Sequence, residues 1–241
     1  MTAVTTARPL QAVLPARMSC EDLMCIALRI ITSQRAISPR CYTSPVRESP
    51  SQLLSAIAEE VRRCTACPLH SGRTHAVPGE GPVGAPVAFI GEAPGGEEDL
   101  QGRPFVGRSG QLLRRTIREI GWREDEVFIG NILKCRPPDN RNPLESEVAS
   151  CRHYLFAQLV LVHPRVVVTL GNHSTNLLID PKLKITQARG RHIIKDGVSF
   201  LPTFHPSAVL RDMKLLTEFR RDLAAARQLA QELAQPPGAG G

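Results

Sequence analysis

The sequence predicts an α/β fold, a parallel sheet of four strands covered by helices on both faces. Short apolar runs rich in branched residues alternate with amphipathic stretches through residues 49–234, the order that builds parallel sheets. The strands are apolar throughout rather than at every second position, as strands buried on both faces must be. Small, polar or metal-binding residues follow each strand, which gathers them on one carboxyl-end rim where such sheets bind ligands.

The elements follow in order. SPSQLLSAIAEEVRRC places Leu53, Leu54, Ile57 and Val61 on one helical face. PVAFIG reads as the first strand and leads into GEAPGG. SGQLLRRTIREIG is an amphipathic helix (Leu113, Ile117, Ile120) stopped by Gly121. EVFIGNILKC is the second strand, carrying Asn131 and then Cys135. NPLESEVASCRHYLFAQLVLV predicts a helix with Asn142 as N-cap and Pro143 at its first position. RVVVTLG is the third strand, followed by a short helix in NHSTNLLI. VSFLPTF is the fourth, leading to His205, and AVLRDMKLLTEFRRDLAAARQLAQEL predicts one long closing helix.

The regular pattern predicts one domain over residues 49–234. Residues 1–48, rich in Ser, Thr, Arg and Pro, read as a poorly ordered N-terminal extension, with Met18 and Met24 as alternative starts, and 235–241 as a flexible tail. No apolar run approaches the roughly 20 residues that span a bilayer, so no membrane partner is expected. Six of the arginines stand against three acids in residues 1–50, and the chain of 241 residues carries a net charge of +7; that excess permits a nucleic-acid partner without demanding one. Seven cysteines without a secretory signal pattern point to a reducing, cytoplasmic setting and to metal-binding thiols rather than disulfides.

Three groups of residues carry chemistry. FIGEAPGGEEDLQGRPFVG begins like a phosphate loop, yet Gly91, Gly95 and Gly96 do not make G-x-G-x-x-G, no Gly-Lys-Ser/Thr follows, and Glu92, Glu97, Glu98 and Asp99 would repel phosphate. A tight turn that needs glycine is the simpler alternative. Cys64-Thr-Ala-Cys67 is a chelating pair that Cys135 and Cys151 could complete; zinc, an iron–sulfur cluster and unligated buried thiols all remain open on spacing alone. His205-Pro206-Ser207, Asn131 and Phe105 offer a donor, an amide able to read a base edge, and a stacking face. The other histidines, His173 among them, lack comparable company and read as surface or packing residues.

Taken together, CxxC, GEAPGGEED, GRPFVG, GNILKCRPP, a further Cys and HPS resemble, in order and spacing, the iron–sulfur uracil-DNA glycosylases of family 4, over residues from about 53 to 230. The resemblance implies the uracil-glycosylase three-layer fold and a [4Fe–4S] cluster on Cys64, Cys67, Cys135 and Cys151. It implies hydrolysis of the N-glycosidic bond of deoxyuridine in single- or double-stranded DNA by a monomer working at the nucleoid. By the same resemblance Phe105 stacks on uracil, Asn131 reads its O4/N3 edge, and His205 donates to its O2. Gly91, Glu92 and Ala93 line the pocket, and Glu98 crowds the C5 side. Ser207, Val209, Leu210 and Arg211 form the DNA loop, with Leu210 or Val209 as its wedge. The best-known members of the superfamily carry an Asp where Ala93 stands, which leaves Glu92 as the candidate to position water. CRPPDNRNPLESE holds no His of the self-trapping relatives, so turnover is expected. The reading from another class is a non-catalytic uracil- or DNA-binding protein of the same fold.

Overall fold

The structure, a computed structural model, describes residues 49–235. The extension expected over 1–48 and the tail beyond 235 lie outside those residues. Among the described residues no helix is long and apolar enough to cross a membrane.

Helix α1 (Pro50–Arg63) is started by a reciprocal cap: Gln52 N–H donates to Ser49 Oγ at 3.3 Å, and Ser49 N–H donates to Gln52 Oε1 at 2.7 Å. Leu53, Ile57 and Val61 are its buried stripe. The sheet contains β1 (Val87–Gly91), β2 (Phe128–Asn131), β3 (Val166–Leu170), β4 (Ile193–Lys195) and β5 (Val198–Thr203), in the order β2-β1-β3-β5-β4. β2, β1, β3 and β5 are parallel, as the apolar runs predict. Around them lie α2 (Gly96–Gln101), α3 (Arg108–Glu119), α4 (Glu145–Val162), α5 (Asn172–Leu178), α6 (Ile185–Ala188), α7 (Pro206–Arg211) and α8 (Leu216–Glu232).

Side chains alternate across the pleat, and β1 shows where each goes. Phe89 joins Leu113, Ile117, Phe219 and Leu223 under α3 and α8. Ala88 and Ile90 join Leu155, Val162 and Leu178 on the opposite face. A third core packs Leu53, Ile57 and Val61 of α1 against Leu161, Tyr154, Cys151 and Cys135.

Three expectations about elements are corrected. The sheet is five-stranded and mixed, because Ile193–Lys195 pairs antiparallel with β5 through a hairpin at Asp196-Gly197, both with positive φ; Asp-Gly is a strong hairpin signal. The cap of α4 is Leu144 rather than Asn142: its N–H donates to Glu147 Oε2 at 2.9 Å, and Arg141 holds that carboxylate. The long closing helix is broken at Asp212 (φ −136°), whose Oδ1 accepts from Lys214 N–H at 3.1 Å and so competes with the helical ladder.

Candidate active site

The parallel register sets the site. Gly91, the last residue of β1, pairs with Asn131, the last of β2, and the neighbouring strands deliver Gly171 and Thr203 to the same rim before His205 caps α7. A Cβ at Gly91 would lie 2.4 Å from Asn131 Oδ1 and 2.5 Å from Phe105 Cζ. Glycine is required because an amide and an aromatic ring close on the backbone there. The Phe105 and His205 rings stand 6.1 Å apart. Asn131 is buried, and among the described residues its Oδ1 has no hydrogen-bond partner. An amide oxygen left unpaired away from water costs about 1–3 kcal/mol, and this one lies at the strand-end rim beside the Phe105 ring.

Phe105 is fixed by residues that lie outside the sequence reading. It has φ +53°, unusual for a side chain of its size. The buried Arg114 holds it there, with Nε donating to Phe105 O at 2.8 Å and Nη2 to Pro104 O at 2.6 Å. Gly110 lets the loop sit against α3, for a Cβ there would fall 2.1 Å from the Phe105 carbonyl carbon. Lys134 likewise pins the strand end: its buried Nζ donates to Asn131 O at 3.0 Å and to Gln158 Oε1 at 2.7 Å.

Glu98 is held by the backbone through both of its oxygens. Its Oε1 accepts the N–H groups of Val106 (2.9 Å) and Gly107 (2.8 Å), and its Oε2 that of Gly95 (3.1 Å). Both oxygens are thereby committed to tying the glycine turn to the loop that carries Phe105. Ala93 is half-buried and packs toward the cysteine-lined core. Glu92 is half-buried, and its Oε2 accepts from His173 Nδ1 at 2.8 Å. That hydrogen bond raises the pKa of His173 above the ordinary histidine value. His173 was recognisable only by its place directly after the third strand.

His205 is oriented by its own cap. Its Nδ1 faces Ser207 Oγ at 2.8 Å and accepts Ser207 N–H at 3.2 Å. A nitrogen that accepts a backbone N–H carries no proton, so the neutral ring keeps its proton on Nε2. Burial drives the pKa of His205 down to about 4, which leaves a neutral donor at pH 7. Of the DNA-loop residues, Ser207 is thus engaged by His205, Arg211 is exposed, and Leu210 is 36% exposed. Val209 is fully buried in the core under α3 and α8 and cannot be the wedge.

Cys64 and Cys67 after α1, Cys135 after β2 and Cys151 within α4 are all free thiols lining one small cavity. Among the described residues no three His, Cys, Asp or Glu side chains close on the position of a single metal ion. Four sulfur donors spread around a cavity fit a multi-metal cluster, in which each thiolate binds its own iron. Arg73 Nη1 lies 3.1 Å from Cys135 Sγ and Lys134 N–H 3.3 Å from Cys151 Sγ, both donating to sulfur. Burial pushes the Cys151 thiol up to about 12.

Comparison with known proteins agrees with this arrangement. The profile of the uracil DNA glycosylase superfamily matches residues 78–227. The type-4 uracil-DNA glycosylase of Thermotoga maritima is 46% identical over 172 residues, covering 70% of this chain and 88% of that protein. The chain belongs to the type-4 uracil-DNA glycosylases. It is therefore an enzyme, a glycosylase by family. Further type-4 members are similar across most of their length: that of Sulfurisphaera tokodaii at 43% identity, with 73% of this chain and 84% of the relative covered, and that of Archaeoglobus fulgidus at 38%, with 73% and 92% covered.

Proposed function

We propose that this glycosylase hydrolyses the N-glycosidic bond of deoxyuridine in single- or double-stranded DNA, releasing uracil and leaving an abasic site for base-excision repair. The observation that carries the reading is the buried, partnerless Asn131 Oδ1 beside the Phe105 ring. Uracil brings N3–H to that oxygen and O4 to the amide N–H. Cytosine lacks the N3 proton and presents an amine in place of O4, so it leaves both the amide oxygen and the amide N–H mismatched, which is how such sites discriminate.

A base within a duplex is out of reach, so the nucleotide is extruded into the pocket and its face covered by Phe105, while Leu210 enters the vacated stack and Arg211 takes a phosphate. As the C1′–N1 bond breaks, its electron pair goes to uracil, and the charge collects on O2. The His205 Nε2–H donates to O2, the electrostatic assistance that an oriented neutral donor gives to a developing anion. Glu92, steadied by His173, holds a water that adds to C1′ and passes its proton to the Glu92 carboxylate, which hands it on to solvent while uracil departs as the anion. Cys64, Cys67, Cys135 and Cys151 would hold a [4Fe–4S] cluster, which would tie together α1, the end of β2 and α4 and would supply a redox-capable centre. The protein acts as a monomer on DNA at the nucleoid.

The test is release of free uracil from a uracil-containing single strand by protein purified with its cluster. Tight binding without release would make the chain a non-catalytic binder and sink the enzymatic reading of this site.

A further inference from the structure

On the outer side of α3, four long side chains form one stripe. Arg108, Gln111, Arg115 and Arg118 are spaced three, four and three residues apart, which puts them on one helical face, and all are exposed. They line a groove of about 500 Å³ whose other wall is Leu210 of α7 and Met213 just beyond it. Both apolar side chains are exposed, Met213 to 55%. Among the described residues no carboxylate lines the groove itself.

Arg114, at the inner edge, is committed to Phe105, Pro104, Glu80 and Glu124. Arg115 and Arg118 make only surface ion pairs, with Glu119 and Glu124, and such pairs are worth little against water. They are free to exchange a carboxylate for a stronger anion. Guanidinium groups match phosphate oxygens two at a time. From Arg108 to Arg118 the helix rises about 15 Å, enough for separate arginines to hold separate phosphates.

The geometry points to this groove as a track for the sugar–phosphate backbone of the DNA beside the extruded nucleotide, running outward from Leu210. The phosphates lie on Arg108, Arg115 and Arg118, and Met213 faces the sugars, while Leu210 marks the end of the track at the vacated stack. The identity of the polymer rests on the glycosylase reading; the groove itself adds a contact surface distinct from the base pocket and from the loop at Arg211.

The decisive experiment compares the wild type with Arg115→Gln/Arg118→Gln in binding a 20-base-pair duplex that carries an uncleavable 2′-fluorodeoxyuridine, by fluorescence anisotropy at 50 and 200 mM salt. Each phosphate contact contributes about 0.9 to the slope of log K against log salt. With two contacts gone, the affinity of the variant should fall about tenfold less than that of the wild type across this range. A charge-matched control, Arg165→Gln/Lys182→Gln, removes exposed cations outside the groove and should keep the wild-type slope. Equal slopes for the groove variant and the wild type would overturn the track, as would an equal loss in the control, which would make net charge the cause. Uracil release by the wild type from the same duplex with ordinary deoxyuridine is measured separately; its absence would overturn the glycosylase reading and leave the comparison of slopes intact.

Discussion

Replacing His205 with alanine should separate its chemical role from its structural cost. In the proposed mechanism the ring is a single donor to a developing anion, and removing one such donor costs about 10²–10³ in kcat. The same change should act on stability in a pH-dependent way. Burial lowers the His205 pKa from its ordinary 6.5 to about 4, so the unfolded chain takes up this proton before the folded one does. The neutral ring's contribution is therefore intact above pH 6.5, is lost as pH falls, and is fully gone below pH 4. Over that span the linkage amounts to about 3 kcal/mol, of which roughly 2 kcal/mol is lost by pH 5. The alanine variant lacks this group, so its unfolding free energy should fall by about 2 kcal/mol less than the wild type's between pH 7.5 and pH 5. Urea unfolding at the two pH values reads the stability arm, and single-turnover uracil release reads the chemical arm. In the wild type, His205 should impose no limb on the rate between pH 6 and 8. A variant rate within threefold of the wild type would refute the donor assignment. Parallel loss of stability in the two proteins would refute the buried neutral ring.

Further outcomes follow from the same contacts. Asn131→Leu removes the orphaned oxygen and should raise the melting temperature by about 2–4 °C per kcal/mol recovered, while uracil release drops at least 100-fold; a fall in both would mean that the amide is structural. Glu98→Ala frees three backbone N–H groups and should cost about 2–3 kcal/mol in urea unfolding, with a weaker Michaelis complex as the Phe105 loop slackens. If its stability stays at the wild-type value, the strut assignment is wrong. Protein purified aerobically should be brown with visible absorption, and Cys64→Ser should bleach it and lower the melting temperature; a colourless, equally stable wild type would contradict the cluster.

The parallel strands were legible because apolar runs buried on both faces tolerate little else, and the rim followed from them. Asn131, Phe105 and His205 were legible by type and place. The fifth strand was signalled by Asp196-Gly197, yet Ile193–Lys195 is only three residues long and partly exposed, too short for periodicity to register. Asp212 broke the closing helix through a side-chain contact that apolar spacing does not encode. Val209 and Leu210 are neighbours in a single turn, and only the packing of α7 decides which one is buried. Arg114 reads in sequence as one more surface arginine among four in α3. Its burial comes from the loop folded over it, which α3 alone does not specify.

The residues of the site divide by whether their polar atoms are used up. Glu98 has both oxygens on backbone N–H groups, and Arg114 has its guanidinium on two carbonyls and two carboxylates. A group so saturated has nothing left for a substrate, and its work is to hold others. Asn131 Oδ1 is buried with no partner, and His205 commits Nδ1 to Ser207 while the proton stays on Nε2. Trp122 Nε1, Glu218 Oε2 and Arg227 Nε are also buried without a partner among the described residues, so it is the place of Asn131 Oδ1, beside Phe105 on the strand-end rim, that marks it for a ligand. Glu92 stands between the two classes, with Oε2 on His173 and within reach of the electrostatics of His205. That half-use is what a carboxylate needs if one oxygen is to be steadied and the other is to hold water. It also explains why Glu92 and Glu98, alike in sequence and six residues apart, have opposite parts in one loop.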